Sequence, residues 1–181
     1  MNQLLPLEEA QERLLALAPK LGNERVPLTG GFAGKRYLAE DITAKRTQPA
    51  ADLSAMDGYA VTPGEGPWQR VGESRAGAPF EGVLEAGQCT RISTGAHMPQ
   101  GADRVQLQED ATVDGDRVTA TEVTAPGRHV RRAGFDFSEG DILLAKGNAL
   151  TPAAIALAIA AGHGDVPVVK APKVAILDSG R

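Results

Sequence analysis

Helical periodicity is confined to the two ends of this 181-residue chain and is absent for about a hundred residues beyond Thr47. Short apolar segments separated by Gly, Pro and Asp turns replace it, which is typical of β-strands. The candidate strands are Tyr59 to Thr62, Trp68 to Val71, Gln88 to Ile92, Arg104 to Gln108, Ala111 to Val113 and Arg117 to Ala120. The last two flank an Asp-Gly-Asp turn that favours a hairpin. The region therefore reads as all-β, and closure into a small barrel would remove open strand edges.

The flanking segments predict a second domain that mixes helices and strands. Apolar residues recur at helical spacing from Pro6 to Leu21, and Gly22 is placed to end that helix. A second helix is predicted from Thr151, a capping residue followed by proline, to about Ala161. The short elements expected beside them are strands at Val26–Leu28, Ala39–Thr43, Asp141–Leu144 and Val166–Val169, and a helix between Gly30 and Tyr37. We expect an α+β, β-rich fold in which residues 1–44 and 137–172 form one discontinuous domain, interrupted by a barrel-like β insert at 45–136.

The last residues have a different pattern. Lys173 to Leu177 is an apolar run of the kind that opens a parallel sheet, and a turn sequence follows it directly. One strand and a turn cannot complete a strand–helix–strand unit. We therefore expect residues 173–181 to be the start of a truncated α/β domain.

Charge and cysteine content exclude several classes of protein. The net charge of -4 and the pI near 5.4 argue against non-specific binding of nucleic acid, which needs a clustered basic face. The single cysteine, Cys89, excludes an internal disulfide and fits a reducing compartment. No leader sequence and no apolar run long enough to span a membrane is present, so we expect a cytoplasmic protein.

The seven residues from Ser54 to Ala60 hold a hydroxyl, a carboxylate and a phenol directly before a predicted strand. Gly58 after Asp57 predicts a tight turn, since glycine takes positive φ without steric penalty. Such a turn could present Asp57 to a ligand from a rigid scaffold. The alternative is that Asp57 only accepts hydrogen bonds from its own turn, as many Asp-Gly turns do.

Two further stretches combine groups suited to anions. Arg91 to Ala96 places two hydroxyls and a glycine at the end of a strand, where Oγ atoms and backbone N–H groups could meet an anion. A turn that satisfies its own hydrogen bonds is an equal alternative. Gly127 to Asp136 holds three arginines before a glycine and a carboxylate, which suits an oxyanion such as phosphate. A solvated hinge between domains is the alternative there.

Two other functions are excluded. Gly30 to Arg36 does not match a phosphate-binding loop, because the glycine spacing is short and Arg36 stands where Ser or Thr would bind magnesium. The three histidines, His97, His129 and His163, lie far apart and have no cysteine partners, which argues against a zinc site.

Together these stretches resemble a known family. The matching residues are Ser54 to Ala60, Ile92 to Ala96 followed by Pro99, Gly101, Ala102 and Asp103, then Glu109 and Asp110, and finally Arg131, Arg132, Gly134 and Asp136. They resemble the MoeA proteins, molybdopterin molybdenumtransferases related to the C-terminal domain of gephyrin, and the resemblance covers essentially the whole chain. It implies a mixed first domain with an inserted β domain, followed by a molybdopterin-binding α/β domain and a small β domain. Only the first two would be present here.

The resemblance also implies a function. Family members insert molybdenum from molybdate into adenylylated molybdopterin and release AMP, with Mg²⁺, and they act as homodimers. By motif, Asp57, Thr94 and Asp136 would be catalytic, while Ser54, Gly95 and two arginines, Arg131 and Arg132, would bind substrate. No metal ligand is assigned, since the Mg²⁺ site is expected mostly in the following domain. We expect the segment alone to be inactive, and the alternative is a non-catalytic dimerising or scaffold module derived from this family.

Overall fold

The computed structural model describes residues 5–29, 36–178 and 180. Its helices and strands in chain order are α1 (Leu7–Leu17), β1 (Asn23–Pro27), β2 (Ile42–Thr43), β3 (Leu53–Ser54), β4 (Gly58–Val61), β5 (Trp68–Ser74), β6 (Gln88–Ile92), β7 (Arg104–Leu107), β8 (Ala111–Asp114), β9 (Arg117–Ala120), β10 (Val130–Arg131), β11 (Ile142–Leu144), α2 (Pro152–Ala160) and β12 (Asp165–Val169). Short strands dominate the described residues, and two helices accompany them. The prediction of a β-rich chain with helices near its ends is confirmed.

The chain divides into two compact units. Ala44–Asp141 forms one unit, called the insert below, and the described residues before and after it form the other. The sequence predicts 45–136 for the β insert, and the observed bounds are wider at both ends. The amide of Ala44 donates to the carbonyl of Asp141 at 2.8 Å, so the two ends of the insert lie side by side.

The other unit contains two antiparallel strand pairs and α2. β1 pairs with β12 from Asn23↔Val169 to Pro27↔Asp165, and β2 pairs with β11. Helix α2 begins as predicted, because Thr151 Oγ1 accepts a hydrogen bond from the amide of Ala154 at 3.2 Å and proline fills the first helical position. The buried core residues of this unit are Leu28, Leu38, Ile42, Leu150, Ala154, Ala158, Val166 and Val168.

Helix α1 is shorter than its apolar periodicity predicts. It ends at Leu17, and Ala18 already has extended backbone angles (φ -67°, ψ 125°). Pro19 is the reason, because a proline disfavours helical angles at the residue before it. The prediction that the helix continues to Leu21 and ends at Gly22 is therefore wrong. None of the residues of α1 is buried, and no helix among the described residues is long and apolar enough to cross a membrane.

The strand predicted near the end of the chain and the short helix predicted from Gly30 have different outcomes. Residues 173–178 form no strand, and Leu177 is 98% exposed. A strand needs a partner for its backbone groups, and none of the described residues pairs with this run. The strand prediction for Lys173–Leu177 is therefore wrong for this chain. Most of the short helix predicted from Gly30 lies outside the described residues.

The insert is organised around a six-stranded sheet with the order β7-β4-β6-β5-β9-β8. All pairings are antiparallel except β5 with β6, which is parallel. Strand β4 lies between β6 and β7, and all four of its residues are buried. Its side chains alternate between two core clusters: Tyr59 and Val61 pack with Trp68, Cys89 and Val118, while Ala60 packs with Ile92, Ala96 and Val105. The strand that directly follows Asp57 is therefore buried on both faces.

The two ends of the sheet are β7 and β8. The buried side chain of Gln106 on β7 bridges toward the β8–β9 hairpin: its amide nitrogen donates to the carbonyls of Asp110 (3.2 Å) and Glu122 (2.9 Å). Its oxygen accepts from the amide of Thr124 at 2.9 Å. Side-chain hydrogen bonds thus link the two ends, and full barrel closure by strand pairing stays a prediction.

Candidate functional site

The stretch from Ser54 to Ala60 spans the end of β3, a turn and the start of β4. Ser54 is 2% exposed, and its hydroxyl is used within the turn: Oγ donates to the carbonyl of Met56 at 2.5 Å and accepts from the Met56 amide at 3.3 Å. Its backbone amide donates to the carbonyl of Ala96 at 2.8 Å, and its carbonyl accepts from the amide of Gly95 at 2.9 Å. Ser54 therefore shapes the turn that carries Asp57, and its role as a substrate ligand stays a prediction.

Asp57 contacts Thr94, which is 37 residues away in sequence. Oδ1 of Asp57 accepts from the backbone amide of Thr94 at 2.7 Å and from its hydroxyl at 3.0 Å. The interpretation in which Asp57 only caps its own turn is therefore wrong. Among the described residues Oδ2 receives no hydrogen bond, so one carboxylate oxygen is held and the other is open.

The hydrogen bonds from Thr94 also lower the pKa of Asp57. The backbone amide of Thr94 lowers the pKa of Asp57 most, its hydroxyl lowers it further, and the positive charge of Arg91 adds to the effect. Asp57 is therefore ionised at neutral pH. It can accept hydrogen bonds from water or from a substrate hydroxyl, but it is not a proton donor there.

Gly58 is required for a reason that differs from the prediction. Its φ lies outside the left-handed region, since it is already the first residue of β4. A Cβ at this position would lie 2.1 Å from the carbonyl oxygen of Gln106 on the neighbouring strand. The positive φ predicted for Gly58 is wrong, and close approach of two backbones explains the glycine.

The turn after β6 uses its backbone amides internally. Gly95 has φ of 80° and donates to the carbonyl of Ser54 at 2.9 Å, and Ala96 donates to Ser93 at 3.0 Å. The amide of Thr94 is bound to Asp57. These three N–H groups have partners within the protein, so the hypothesis that they are free for an anion is wrong. Gly95 as a substrate-binding residue stays a prediction.

The arginine-rich stretch contains two ion pairs. Arg131 Nη2 lies 2.6 Å from both carboxylate oxygens of Asp136. Arg132 Nη1 donates to Oδ2 of Asp52 at 2.6 Å, and the amide of Ala133 donates to its Oδ1 at 2.8 Å. The backbone amide of Ala133 is the largest cause of the lowered pKa of Asp52, and the hydrogen bond and charge of Arg132 act in the same direction. Each arginine charge is thus balanced by a carboxylate, and N–H groups remain on each guanidinium.

The three stretches meet in the insert. Strand β10 pairs with β3, with Val130 opposite Ser54 and Arg131 opposite Leu53. The amide of Ala55 donates to the carbonyl of His129 at 2.8 Å. The turn that carries Asp57 therefore lies between the Thr94 turn and the start of the arginine stretch. Asp57 and Asp136 have different hydrogen-bond partners among the described residues: Thr94 binds Asp57, and Arg131 binds Asp136.

Two residues without an assigned role in the sequence analysis belong to this site. Asp52 had no local signal, since Arg132 is 80 residues away. Arg91 donates from Nη1 to the carbonyl of Gly58 at 2.9 Å. Local sequence gave no signal for this contact of Arg91, because the antiparallel pairing of β6 with β4 brings Arg91 opposite Tyr59, two residues after Asp57.

The described residues contain no cluster of three or more His, Cys, Asp or Glu that could hold a metal ion. A hard cation such as Mg²⁺ prefers several oxygen ligands. The expectation that the Mg²⁺ site lies mostly in the following domain stays a prediction.

Comparison with known proteins decides the family. The sequence model of the MoeA N-terminal region (domain I and II) matches residues 5–162. The chain belongs to the MoeA family. The earlier resemblance is confirmed by a molybdopterin molybdenumtransferase of Haemophilus influenzae, 34% identical over 98% of this chain and 45% of that protein. A gephyrin of Dictyostelium discoideum is 30% identical over 98% of this chain and 27% of that protein.

Solved structures agree with the MoeA assignment. A molybdopterin biosynthesis MoeA protein from Pyrococcus horikoshii matches with a TM-score of 0.82 at 30% identity, covering 92% of this chain and 46% of that chain. The chain thus spans somewhat less than half the length of the molybdopterin molybdenumtransferases that it matches. The part of the family that the matching model describes is the N-terminal region, domain I and II.

Proposed function

We propose that this chain is the N-terminal, two-domain part of a molybdenum cofactor biosynthesis enzyme. The complete enzyme would insert molybdenum from molybdate into adenylylated molybdopterin and release AMP. Membership of the MoeA family supports this proposal, as do relatives named molybdopterin molybdenumtransferase. The observation that carries it is the Asp57–Thr94 contact, which joins two of the family motifs at one point.

Asp57 and Thr94 would act together as one unit. Thr94 holds Oδ1 and lowers the pKa of the carboxyl, so Oδ2 of the ionised group can accept a hydrogen bond from water or from a hydroxyl of the substrate. The hydroxyl proton of Thr94 is directed to Asp57, so its role is to fix the carboxylate. A fixed acceptor places a reacting group without reorganisation during the reaction, which is a major source of rate enhancement.

Arg131, Arg132 and Asp136 would form the anion-facing part of the site. Within the described parts of the chain, the guanidinium groups keep N–H donors beyond those used on Asp136 and Asp52. Those donors could bind the oxygens of molybdate or of a phosphate, because both anions are negatively charged and their oxygens accept hydrogen bonds. Asp136 would hold Arg131 in orientation through its two contacts.

Magnesium, dimerisation and location complete the proposal. The described residues contain no cluster of three or more side chains that could hold Mg²⁺, and we propose that the Mg²⁺ site lies mostly in the following domain. We propose a homodimer, as the family resemblance implies, and a cytoplasmic location, as the sequence predicts; the segment alone is expected to be inactive.

Molybdate-dependent AMP release tests the function. The natural gene product that includes these residues is incubated with adenylylated molybdopterin, with and without molybdate, and AMP is quantified. Asp57→Asn should reduce AMP release on the order of 100-fold, since misplaced or lost contacts in such sites cost about that much. Asp116→Asn is the matched control, because it removes another carboxylate of the insert, which pairs with Arg70 on the surface. Absence of molybdate-dependent AMP release from the wild-type protein would overturn the proposal.

A non-catalytic scaffold module is the second candidate. The exposed apolar residues of α1 favour it, because Leu7, Leu14 and Leu17 are each at least 68% exposed. If the natural protein forms a dimer but releases no AMP, and if its dimerisation is unaffected by Asp57→Asn, this alternative holds. The transferase proposal then fails.

A further inference from the structure

Arg91 lies where it can act on both halves of the Asp57–Thr94 contact. It belongs to β6, the strand that leads into the Thr94 turn, and it lies opposite Tyr59 of β4 in the antiparallel register. Tyr59 follows Asp57 by two residues. Arg91 therefore joins the strand that carries the donor to the strand that carries the acceptor.

The guanidinium group of Arg91 has partners on three sides. Nη1 donates to the carbonyl of Gly58 at 2.9 Å, and Nη2 donates to the side-chain oxygen of Gln108. The guanidinium also lies over the ring of Tyr59, 5.2 Å from its centroid. A planar donor that stacks on an aromatic ring has little freedom left, so these contacts fix its position.

The contact with Gly58 is the decisive one. The Gly58 carbonyl belongs to the residue directly after Asp57, so the hydrogen bond from Arg91 anchors the backbone from which the carboxylate projects. Arg91 is half-buried, which limits competition from water. Its positive charge also acts on Asp57 in the same direction as the Thr94 hydrogen bonds.

We infer that Arg91 is a positioning residue that holds Asp57 opposite Thr94 in the site. Its purpose rests on the proposed function, whereas its action on Asp57 is a property of this chain and can be measured without any substrate.

The test compares three variants by NMR. Arg91→Gln removes the charge and the paired donors, and Arg91→Lys keeps the charge and an ammonium donor but loses the planar fork. Arg70→Gln is the matched control, since Arg70 is also an arginine of the sheet, on the adjacent strand β5, and its partners are Asp116 and Gly115. The readouts are the pH titration of the Asp57 carboxyl carbon and the hydrogen-exchange rate of the Thr94 amide.

The three variants should differ in the pKa of Asp57 and in the exchange rate of the Thr94 amide. In Arg91→Gln the pKa of Asp57 should rise and Thr94 amide exchange should accelerate several-fold, while Arg70→Gln leaves both as in the wild type. Arg91→Lys should restore part of the pKa effect and keep the faster exchange, because lysine lacks the planar fork. In the natural gene product, Arg91→Gln should lower AMP release about tenfold or more.

Two results would overturn the inference. One is a folded Arg91→Gln protein with unchanged Asp57 titration and unchanged Thr94 exchange. The other applies if Arg91→Gln does not fold: Arg91→Lys with wild-type Thr94 exchange would then exclude a positioning role. Lack of AMP release in the wild type would instead refute the proposed function, and the NMR result would still decide the role of Arg91.

Discussion

Thr94 donates two hydrogen bonds to the same oxygen of Asp57, one from its amide at 2.7 Å and one from its hydroxyl at 3.0 Å. Asp57 lies in the turn before β4, and Thr94 lies in the turn after β6. These two strands pair directly in one sheet. The sheet therefore sets the distance between them. Among the described residues, the carboxylate is held at Oδ1 and receives no hydrogen bond at Oδ2.

Thr94→Val should raise the pKa of Asp57 toward its ordinary value of 3.8, because the hydroxyl donor is lost. The rise should be partial, since the amide hydrogen bond is the larger cause and remains. Thr94→Ser keeps a hydroxyl and should titrate like the wild type. Carboxyl-carbon NMR titration of Asp57 measures both, and identical titrations in the valine and wild-type proteins would contradict the hydroxyl contact.

Gly58→Ala should destabilise the insert by at least about 2 kcal/mol, a cost typical of forced overpacking. The added Cβ would lie 2.1 Å from a backbone oxygen of β7, and backbone in a paired strand cannot move away easily. Gly164→Ala is the control, because no heavy atom lies within 4 Å of its Cβ position. Urea denaturation followed by Trp68 fluorescence measures the change; equal stability of the two variants would refute the close approach.

Asp52 should contribute stability above pH 3.8 that is lost in acid. Its pKa is lowered in the folded protein, chiefly by the Ala133 amide and then by Arg132, so the unfolded chain binds the proton at higher pH. The difference in the free energy of unfolding between wild type and Asp52→Asn should be present at pH 7. It should disappear as the pH falls through the lowered pKa.

Denaturation curves between pH 7 and pH 2 check this prediction. Asp114→Asn, an exposed carboxylate of β8, serves as the reference. A difference for Asp52→Asn that does not change with pH would show that the carboxylate charge has no part in the effect.

Cys89 should resist thiol reagents in the folded protein. It has 0% exposure, and burial raises the pKa of its thiol to about 12, so almost no thiolate exists at pH 8. A disulfide reagent should react slowly with the native chain and stoichiometrically in urea. Rapid reaction of the native protein would mean that β6 opens more readily than its packing indicates.

Much of the fold follows from local pattern. The strands Gln88–Ile92 and Arg117–Ala120 coincide with their predicted bounds, and Thr151 caps α2 as expected. These elements depend on neighbours in sequence: alternation, turn residues and a capping hydroxyl. The early end of α1 also follows from a local rule, because Pro19 disfavours helical backbone angles at Ala18.

The site depended on contacts that local pattern does not carry. The motifs pointed to Asp57, Thr94 and Asp136, but nothing near Asp57 in sequence indicated that Thr94 would hold it. Likewise, the need for glycine at position 58 comes from a neighbouring strand.

Local sequence therefore determined which residues turn, cap and alternate, and the motif pattern indicated the family. Only the tertiary structure decided which donors meet which carboxylates, because strand pairing brings together residues that are 37 or 80 positions apart. The physical reason is that a hydrogen bond requires its atoms within about 3 Å, and sequence separation places no limit on which residues the sheet brings that close.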